Sequence, residues 1–272
     1  AFDTALEHVA IQLPAMSRGA PFVPPPFFEE QLCAAEQMLE LPPYCARAVD
    51  LPIALQALLG ATHRQRALRW LARFVQCVPD ASAHCLAIDT LPYIAGLLRT
   101  KQTSLRYPLL IIWSHLLRDD SAAATIDLVG APKCSSFLLN SLQDNHVQEQ
   151  SMSAFLLTMI ARQSCLRRRL SQSQSPRMHS SSFAANVDSV LHIGTIMKLL
   201  PMLITRRNVA LRTWSVLLLA ALLDDDRIAP SQTLLRLIVT RMHADVSADV
   251  RAAAVCAMGA LLAATISIFE NN

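Results

Sequence analysis

The sequence is short of glycine, of charge and of paired cysteines, and each shortage excludes a class of protein. Only 6 glycines occur in 272 residues, which argues against β-rich folds and against the glycine-rich loops that cradle phosphates. Charged residues make up 17% and hydrophobic residues 53%, a balance that excludes an intrinsically disordered chain. The formal net charge of +3 is too small to indicate a nucleic-acid partner by itself, and we expect none.

The cysteines show neither a CxxC motif nor an even count. Seven are scattered along the chain, mostly in apolar stretches, which favours buried, reduced thiols in a cytoplasmic protein. No signal peptide is visible, and because the first residue is Ala1 we expect the sequence to be part of a longer chain. The cysteines are Cys33, Cys45, Cys77, Cys85, Cys134, Cys165 and Cys256.

One stretch could pass for a membrane span. Residues 252–269 contain no charged side chain, and their length is near the lower limit for crossing a bilayer. The first two-thirds of this stretch align with apolar helices elsewhere in the chain. We therefore predict a packed helix of a repeat and no direct membrane insertion.

What the sequence has in abundance is pairs of apolar helices joined by polar turns. Val209 to Leu223 is an apolar helix that follows the polar turn at residues 205–208, and a second apolar helix, Ile196 to Ile204, leads into that turn. Five units of this kind can be anchored on the polar residue that opens the second helix, and successive anchors are 40, 44, 62 and 39 residues apart. The anchors are Arg66, Arg106, Gln150, Arg212 and Arg251.

Three of the four steps are close to the roughly 40–47 residues of an armadillo or HEAT repeat, and the long step of 62 contains an insertion. The second helices of the units carry one apolar stripe at helical spacing, which includes Trp214 as a predicted core residue. The sequence therefore predicts an all-α fold, a right-handed α-solenoid of armadillo/HEAT-type repeats. Residues 1–50 would form N-terminal helices and proline-rich linkers, 51–265 the repeats with an insertion near 167–189, and 266–272 a frayed end.

Several segments, taken in order, resemble the armadillo-type region of the raptor family, the scaffold subunit of target-of-rapamycin (TOR) kinase complex 1. The resemblance covers nearly the whole chain, and it depends on the order and spacing of short motifs. Those motifs are Pro26-Phe-Phe-Glu-Glu-Gln-Leu32, Leu51-Pro-Ile-Ala-Leu-Gln-Ala-Leu-Leu59, His63-Arg-Gln-Arg-Ala-Leu68, Leu91-Pro-Tyr-Ile94, Met152-Ser-Ala-Phe-Leu156 and Asp249-Val-Arg-Ala-Ala-Ala-Val255.

The resemblance implies a non-catalytic scaffold segment in nutrient-responsive growth signalling. It implies docking on the helical repeats of the TOR kinase, together with recruitment of Rag-type small GTPases and of kinase substrates. It also implies a cytoplasmic protein that partners recruit to the lysosomal or vacuolar surface. The sequence departs from the family pattern at the insertion from Arg167 to Ser189 and at Gln150, where the family has an arginine.

Two other functions stay open at this point. The chain could be an armadillo/HEAT adaptor or transport carrier of another kind, although carriers of the nuclear-transport kind show a ladder of Trp–Asn pairs, which this sequence lacks. A helical enzyme would need a catalytic constellation, and the sequence has no HExxH, GxSxG, P-loop or GxGxxG motif. We therefore expect no enzyme activity, no cofactor and no metal site, and we interpret Asp224-Asp-Asp226 as a solvated loop between repeats.

The insertion offers two candidate phosphorylation sites. Arg167-Arg-Arg169 precedes Ser171, as in targets of basophilic kinases, and Ser175 precedes Pro176, as in proline-directed sites. A phosphate beside three arginines would add about −1.5 to −2 charges there. The alternative is a mobile segment whose charges only keep it soluble, one that could be deleted without loss of the fold.

The polar turns between paired helices are the candidate partner-binding surface. In a helical stack such turns form one edge, and a polar edge beside apolar helices is how repeat proteins present extended binding surfaces. The predicted partner-binding residues are Asp144, Asn145, Gln148, Arg206, Arg207, Asn208 and Asp245, with Asp249 beside them.

Overall fold

The computed structural model is helical wherever it has regular structure. It describes residues 2–20, 26–41, 50–100, 102–119, 121–131, 133–173, 186–188, 190–225 and 227–270, and none of these forms a strand. This confirms the predicted all-α class. The helices are α1 Phe2–Met16, α2 Phe27–Glu40, α3 Leu51–Leu59, α4 Arg64–Cys77, α5 Ala81–Ala87, α6 Leu91–Leu97, α7 Arg106–Asp119, α8 Ser121–Gly130, α9 Cys134–Gln143, α10 Val147–Ser173, α11 Ile193–Ile204, α12 Val209–Asp224, α13 Gln232–Ala244 and α14 Ala248–Glu270, with a 3-10 turn at Thr103–Leu105.

The chain divides into two compact units, residues 1–93 and 94–272. In the first unit, α2 and α3 pack against α4, and Trp70 stacks on Phe74 with ring centroids 5.1 Å apart. Arg66 of α4 donates two hydrogen bonds, of 2.9 and 2.7 Å, to the carboxylate of Glu36 on α2. The first anchor residue, Arg66, thus joins α4 to α2.

In the second unit the long helices α10, α12 and α14 pack in that order, with α12 in contact with both neighbours. Helices α9, α11 and α13 each pack on the long helix that follows them, as the pairing in the sequence predicts. The core is almost entirely leucine, isoleucine, valine and alanine. Trp214 is only half-buried, and it meets Phe155 of α10 edge-to-face at 4.7 Å.

The structure places the start of the predicted insertion inside a helix. Helix α10 continues through Arg167 and ends at Ser173, because Ile160, Ala161 and Cys165 extend its buried face. Residues 174–185, which include Ser175 and most of the predicted insertion, lie outside the described residues. At the other end of the chain, α14 runs to Glu270, so the described part of the predicted frayed end is helical.

Among the described residues one helix is long and apolar enough to span a membrane, judged by length and composition. It is α14, over Ala248–Ile266, and a third of that window is buried inside the fold. The buried side chains share one face, against which α12 and α13 pack. This packing is what the interpretation as a repeat helix requires. The face consists of Val250, Ala253, Ala254, Ala257, Leu261 and Ala264.

Candidate partner-binding edge

Three turns lie along one edge of the second unit because the helices that follow them are parallel. Phe155 of α10 contacts Trp214 of α12, and further along the same two helices Cys165 lies 3.3 Å from the carbonyl of Asp224. The earlier residue of α10 thus contacts the earlier residue of α12 and the later residue contacts the later one, so the two helices run in the same direction. Arg212, near the start of α12, reaches Asp245 just before α14. We call residues 144–149, 205–209 and 245–249 the turn edge.

The anchor residues found in the sequence fix the shape of these turns. Arg212 donates hydrogen bonds of 3.0 and 2.7 Å to the carbonyl oxygens of Arg206 and Arg207. Arg251 makes the same pair of bonds, of 3.0 and 2.9 Å, to Asp245 and Val246. Both side chains satisfy carbonyl groups that the turn would otherwise leave to water.

Gln150 has a similar structural role at the third turn. Its side chain is buried and donates a 3.1 Å hydrogen bond to the carbonyl of Leu142, at the end of α9. An amide can supply this single bond, but it brings no positive charge. Gln150 therefore holds the backbone of its turn without the positive charge that Arg212 and Arg251 bring to theirs.

Asp245 lies inside the fold. Its side chain is 3% exposed, and Arg212 donates two 2.9 Å hydrogen bonds to its carboxylate. Burial acts to raise the pKa of Asp245, but the bonds from Arg212 and from the backbone N–H of Ser247 outweigh it, so the pKa lies below its usual value. The carboxylate of Asp245, which the sequence analysis predicted to bind a partner, instead joins the last two repeats through Arg212.

Asp144 and Asn208 also make contacts within the fold. Asp144 accepts a 2.7 Å hydrogen bond from the backbone N–H of Asn145 and forms an ion pair with Arg106. Both interactions keep the pKa of Asp144 below its usual value. Asn208 caps α12, since its side-chain oxygen accepts a 2.9 Å hydrogen bond from the N–H of Leu211.

The remaining predicted residues face solvent. Asn145, Gln148, Arg206 and Arg207 are exposed, and no carboxylate among the described residues pairs with either arginine. The structure thus separates the seven predicted residues into three that shape the turns and four that are free to contact a partner.

Sequence reasoning missed an apolar component of the turn edge. Val147, Val209 and Val246 are 36%, 41% and 95% exposed, one in each turn. A signal was present: each valine stands at the first position of the second helix or two residues before it, outside the apolar stripe that the periodicity assigns to the core.

The interpretation of Asp224-Asp-Asp226 as a solvated loop is wrong for Asp225. Its side chain is fully buried, and it pairs with Arg168 at 3.0 Å and with Arg227. Asp224 pairs with Arg169 at 2.6 Å. The extended α10 brings both arginines across to this loop, which the sequence did not indicate, and Asp226 lies outside the described residues.

Arg227 connects this cluster to the chain beyond the insertion. It is 8% exposed in its side chain and pairs with Asp188 as well as Asp225. Its guanidinium also donates a 3.1 Å hydrogen bond to the hydroxyl of Ser164 on α10. The cluster therefore ties together the chain segments on both sides of residues 174–185.

The described cysteines are all free, and they divide evenly between interior and surface. Burial raises the pKa of Cys85 and of Cys134 to about 12, so neither forms a thiolate at neutral pH. Cys33, Cys77 and Cys256 are exposed, contrary to the prediction of buried thiols. Among the described residues no group of three or more His, Cys, Asp or Glu side chains could hold a metal ion.

Comparison with known proteins gives a consistent relationship, although no family model matches the chain. The chain is 37% identical over 165 residues to the regulatory-associated protein of TOR 2 of Oryza sativa, covering 59% of this chain and 12% of that protein. It is 35% identical over 170 residues to the raptor homolog of Dictyostelium discoideum, covering 59% and 11%. The TOR complex 1 subunit mip1 of Schizosaccharomyces pombe is 30% identical over 178 residues, covering 59% and 13%.

Solved structures extend the likeness to nearly the whole chain. The crystal structure of Chaetomium thermophilum Raptor matches with a TM-score of 0.73 and 25% identity, over 96% of this chain and 23% of that one. A computationally designed armadillo repeat protein matches with a TM-score of 0.61 at 12% identity, over 86% and 98%, which bears on the fold alone. This chain spans about an eighth of the length of the curated relatives it matches, and together the matches support a fragment of the raptor family with an armadillo-type fold.

Proposed function

We propose that this chain is a non-catalytic scaffold segment of a TOR complex 1 subunit and that its turn edge contacts a partner in that complex. The relatives named as TOR complex 1 subunits support the assignment to the complex. The proposed partner is the TOR kinase, with Rag-type GTPases and kinase substrates as further partners. The protein acts in the cytoplasm and reaches the lysosomal or vacuolar surface through those partners.

One observation carries the choice of surface. The carboxylates of Asp144 and Asp245 are used inside the fold, whereas Arg206 and Arg207 project from the turn without a carboxylate partner among the described residues. Exposed arginines beside exposed apolar side chains are typical of protein interfaces, where arginine is enriched. The turn edge combines both within three consecutive turns.

The test is co-purification from cells that express the longer protein containing this segment. Reversing charge in R206E/R207E should reduce the TOR kinase or a GTPase recovered with it, and the fold should be kept because neither side chain forms an ion pair with a described residue. Asp144 is left intact because it pairs with Arg106. The matched control is R162E/R236E, which changes two exposed arginines on α10 and α13 and alters the net charge equally.

If the R206E/R207E protein recovers every partner at the level of the control, the turn edge is not the interface. The binding surface would then be on the helical faces or in another part of the longer protein. Equal loss in both variants would indicate an effect of overall charge, which also contradicts the choice of surface.

We also propose phosphorylation at Ser171 or Ser175. Support comes from the Arg-Arg-x-Ser and Ser-Pro patterns, and from Arg168 and Arg169, which lie three and two residues before Ser171 and pair with Asp225 and Asp224. A phosphate on Ser171 would compete for those arginines. Phosphopeptide mapping of the protein from cells checks this, and the absence of phosphate from both serines under starved and fed conditions would contradict it.

A further inference from the structure

The three exposed valines of the turn edge follow one another in a row, one near the start of each long helix. Helices α10, α12 and α14 are packed neighbours, and packed helices lie about 8–10 Å apart. Because Val147, Val209 and Val246 stand at or just before the starts of these helices, the helix spacing predicts a similar interval between them. An α-helix laid along the row would present side chains at nearly the same interval every seven residues, since seven residues rise about 10.5 Å.

The charge of the edge changes along this row. Around the second and third turns five arginines stand against two carboxylates, an excess of three positive charges. Around the first turn Arg106 stands against Asp144 and Glu149, an excess of one negative charge. The residues of the positive part are Arg206, Arg207, Arg212, Arg241 and Arg251, with Asp245 and Asp249.

This combination selects one kind of partner. We propose that the turn edge binds an amphipathic helix of a partner protein, with apolar side chains at every seventh residue facing Val147, Val209 and Val246 and acidic side chains facing Arg206 and Arg207. The inference rests on the proposed role of the turn edge and adds the chemistry of what it binds. Complementary charge would set the direction of the helix, with its acidic part over the second and third turns.

The start of α12 favours the same orientation. Helix N-termini carry partial positive charge, which adds to Arg206 and Arg207 at the second turn. At the first and third turns, Glu149 and Asp249 lie in the opening turns of α10 and α14 and offset that charge. The acidic part of a bound helix would therefore be attracted most strongly to the second turn.

Three synthetic peptides of about 21 residues, or three heptads, test the proposal against the 272-residue chain. The first carries leucine at every seventh position flanked by glutamates, with a side-chain staple to hold the helix. The second replaces the glutamates with lysines. The third keeps the composition of the first but moves the leucines off the seven-residue spacing. Binding is measured by fluorescence anisotropy at low and at physiological salt.

The first peptide should bind at least about tenfold more tightly than the other two, because charge complementarity and apolar spacing are both required. R206E/R207E and V246D should each weaken its binding by about tenfold or more, while the control R162E/R236E leaves it unchanged. Val246 is 95% exposed, so V246D tests the row without disturbing the core. Circular dichroism of each variant confirms that the fold is kept.

Equal binding of the first and third peptides would overturn the helical spacing, and equal binding of the first and second would overturn the acidic character. No binding by any peptide would overturn both. These failures differ from failure of the proposed function: if R206E/R207E loses the TOR kinase in cells while no peptide binds, the edge is an interface for a partner of another shape. If the acidic peptide binds as expected while every cellular partner is retained, the chemistry stands and the assigned partner is wrong.

Discussion

The two polar segments that flank α12 look alike in sequence and differ in the fold. Before the helix, Arg206 and Arg207 project into solvent. After it, Asp225 is fully buried between Arg168 and Arg227. The difference comes from the neighbouring helix, because α10 ends in arginines beside the second segment and offers no carboxylate to the first. A charged turn is therefore interior or exterior according to what the adjacent repeat places against it.

The largest loss of stability should come from removing the buried carboxylate of Asp225, in the segment after α12. D225A removes the buried carboxylate that pairs with Arg227 and Arg168, and breaking a buried ion pair in this way costs about 3–5 kcal/mol. The free energy of unfolding in urea measures it. D224A is the control, since the Asp224 side chain is 42% exposed and its loss should cost far less. Equal losses in the two variants would mean that Asp225 is not buried in solution.

The next effect should appear at Asp245. D245N removes the charge that receives hydrogen bonds from Arg212 and should cost about 1.5–3 kcal/mol near neutral pH, the range of a hydrogen bond to a charged group. Because the pKa of Asp245 is lower in the fold than in the unfolded chain, its stabilisation is complete above the unfolded value and is lost as the pH falls through the folded value.

The difference in stability between the wild-type chain and D245N should therefore shrink in acid. Urea unfolding between neutral pH and about pH 3, below the usual value for Asp, follows it. A difference that stays constant over this range would show that the carboxylate contributes by shape and not by charge.

A smaller effect is expected at the cap of α12. N208A removes the side-chain oxygen that accepts from Leu211 and should cost about 1 kcal/mol. N208D should restore most of that loss because aspartate caps helices equally well. Thermal unfolding of the three proteins compares them, and a stability loss in N208D as large as that in N208A would exclude capping as the role of this residue.

The smallest effect on stability belongs to the exposed arginines. R206E/R207E should change the free energy of unfolding by less than about 0.5 kcal/mol per site, as exposed substitutions usually do. The same variant is expected to lose binding to its partner. Substitutions in the turn before α12 should therefore affect binding but not stability, whereas substitutions in the loop after α12 should affect stability. A melting temperature well below that of R162E/R236E would show that the two arginines support the fold.

The sequence alone predicted the helical class and the pairing of helices, and its ordered motifs showed the resemblance to the raptor family. The first two features follow from local periodicity, which the apolar stripe of α12 and its polar turn display in a continuous stretch. The anchors Arg212 and Arg251 were also found from their spacing. Their partners were not, because the carbonyls of Arg206, Arg207 and Val246 become neighbours of the guanidinium groups only when each turn closes.

Features that depend on contact between repeats could not be predicted. Asp225 and Arg168 are 57 residues apart and meet through the packing of α12 on α10. The sequence predicts Asp245 to be an exposed turn residue, because its partner Arg212 lies in the preceding repeat and reaches it only in the folded chain. The sequence located the polar turns, but which of their side chains are available to a partner is decided by the packing of the neighbouring helices.

The most direct test of the central claim is photo-cross-linking from the turn edge in the assembled complex. A photoreactive phenylalanine analogue replaces Val246, which is 95% exposed, in the longer protein expressed in cells, and in a control it replaces Arg236 on the exposed side of α13. We predict a cross-link from position 246 to the TOR kinase or to another protein of the complex, lost in R206E/R207E, and none from position 236. Cross-links from position 236 but none from position 246 would contradict the claim that the turn edge is the binding surface.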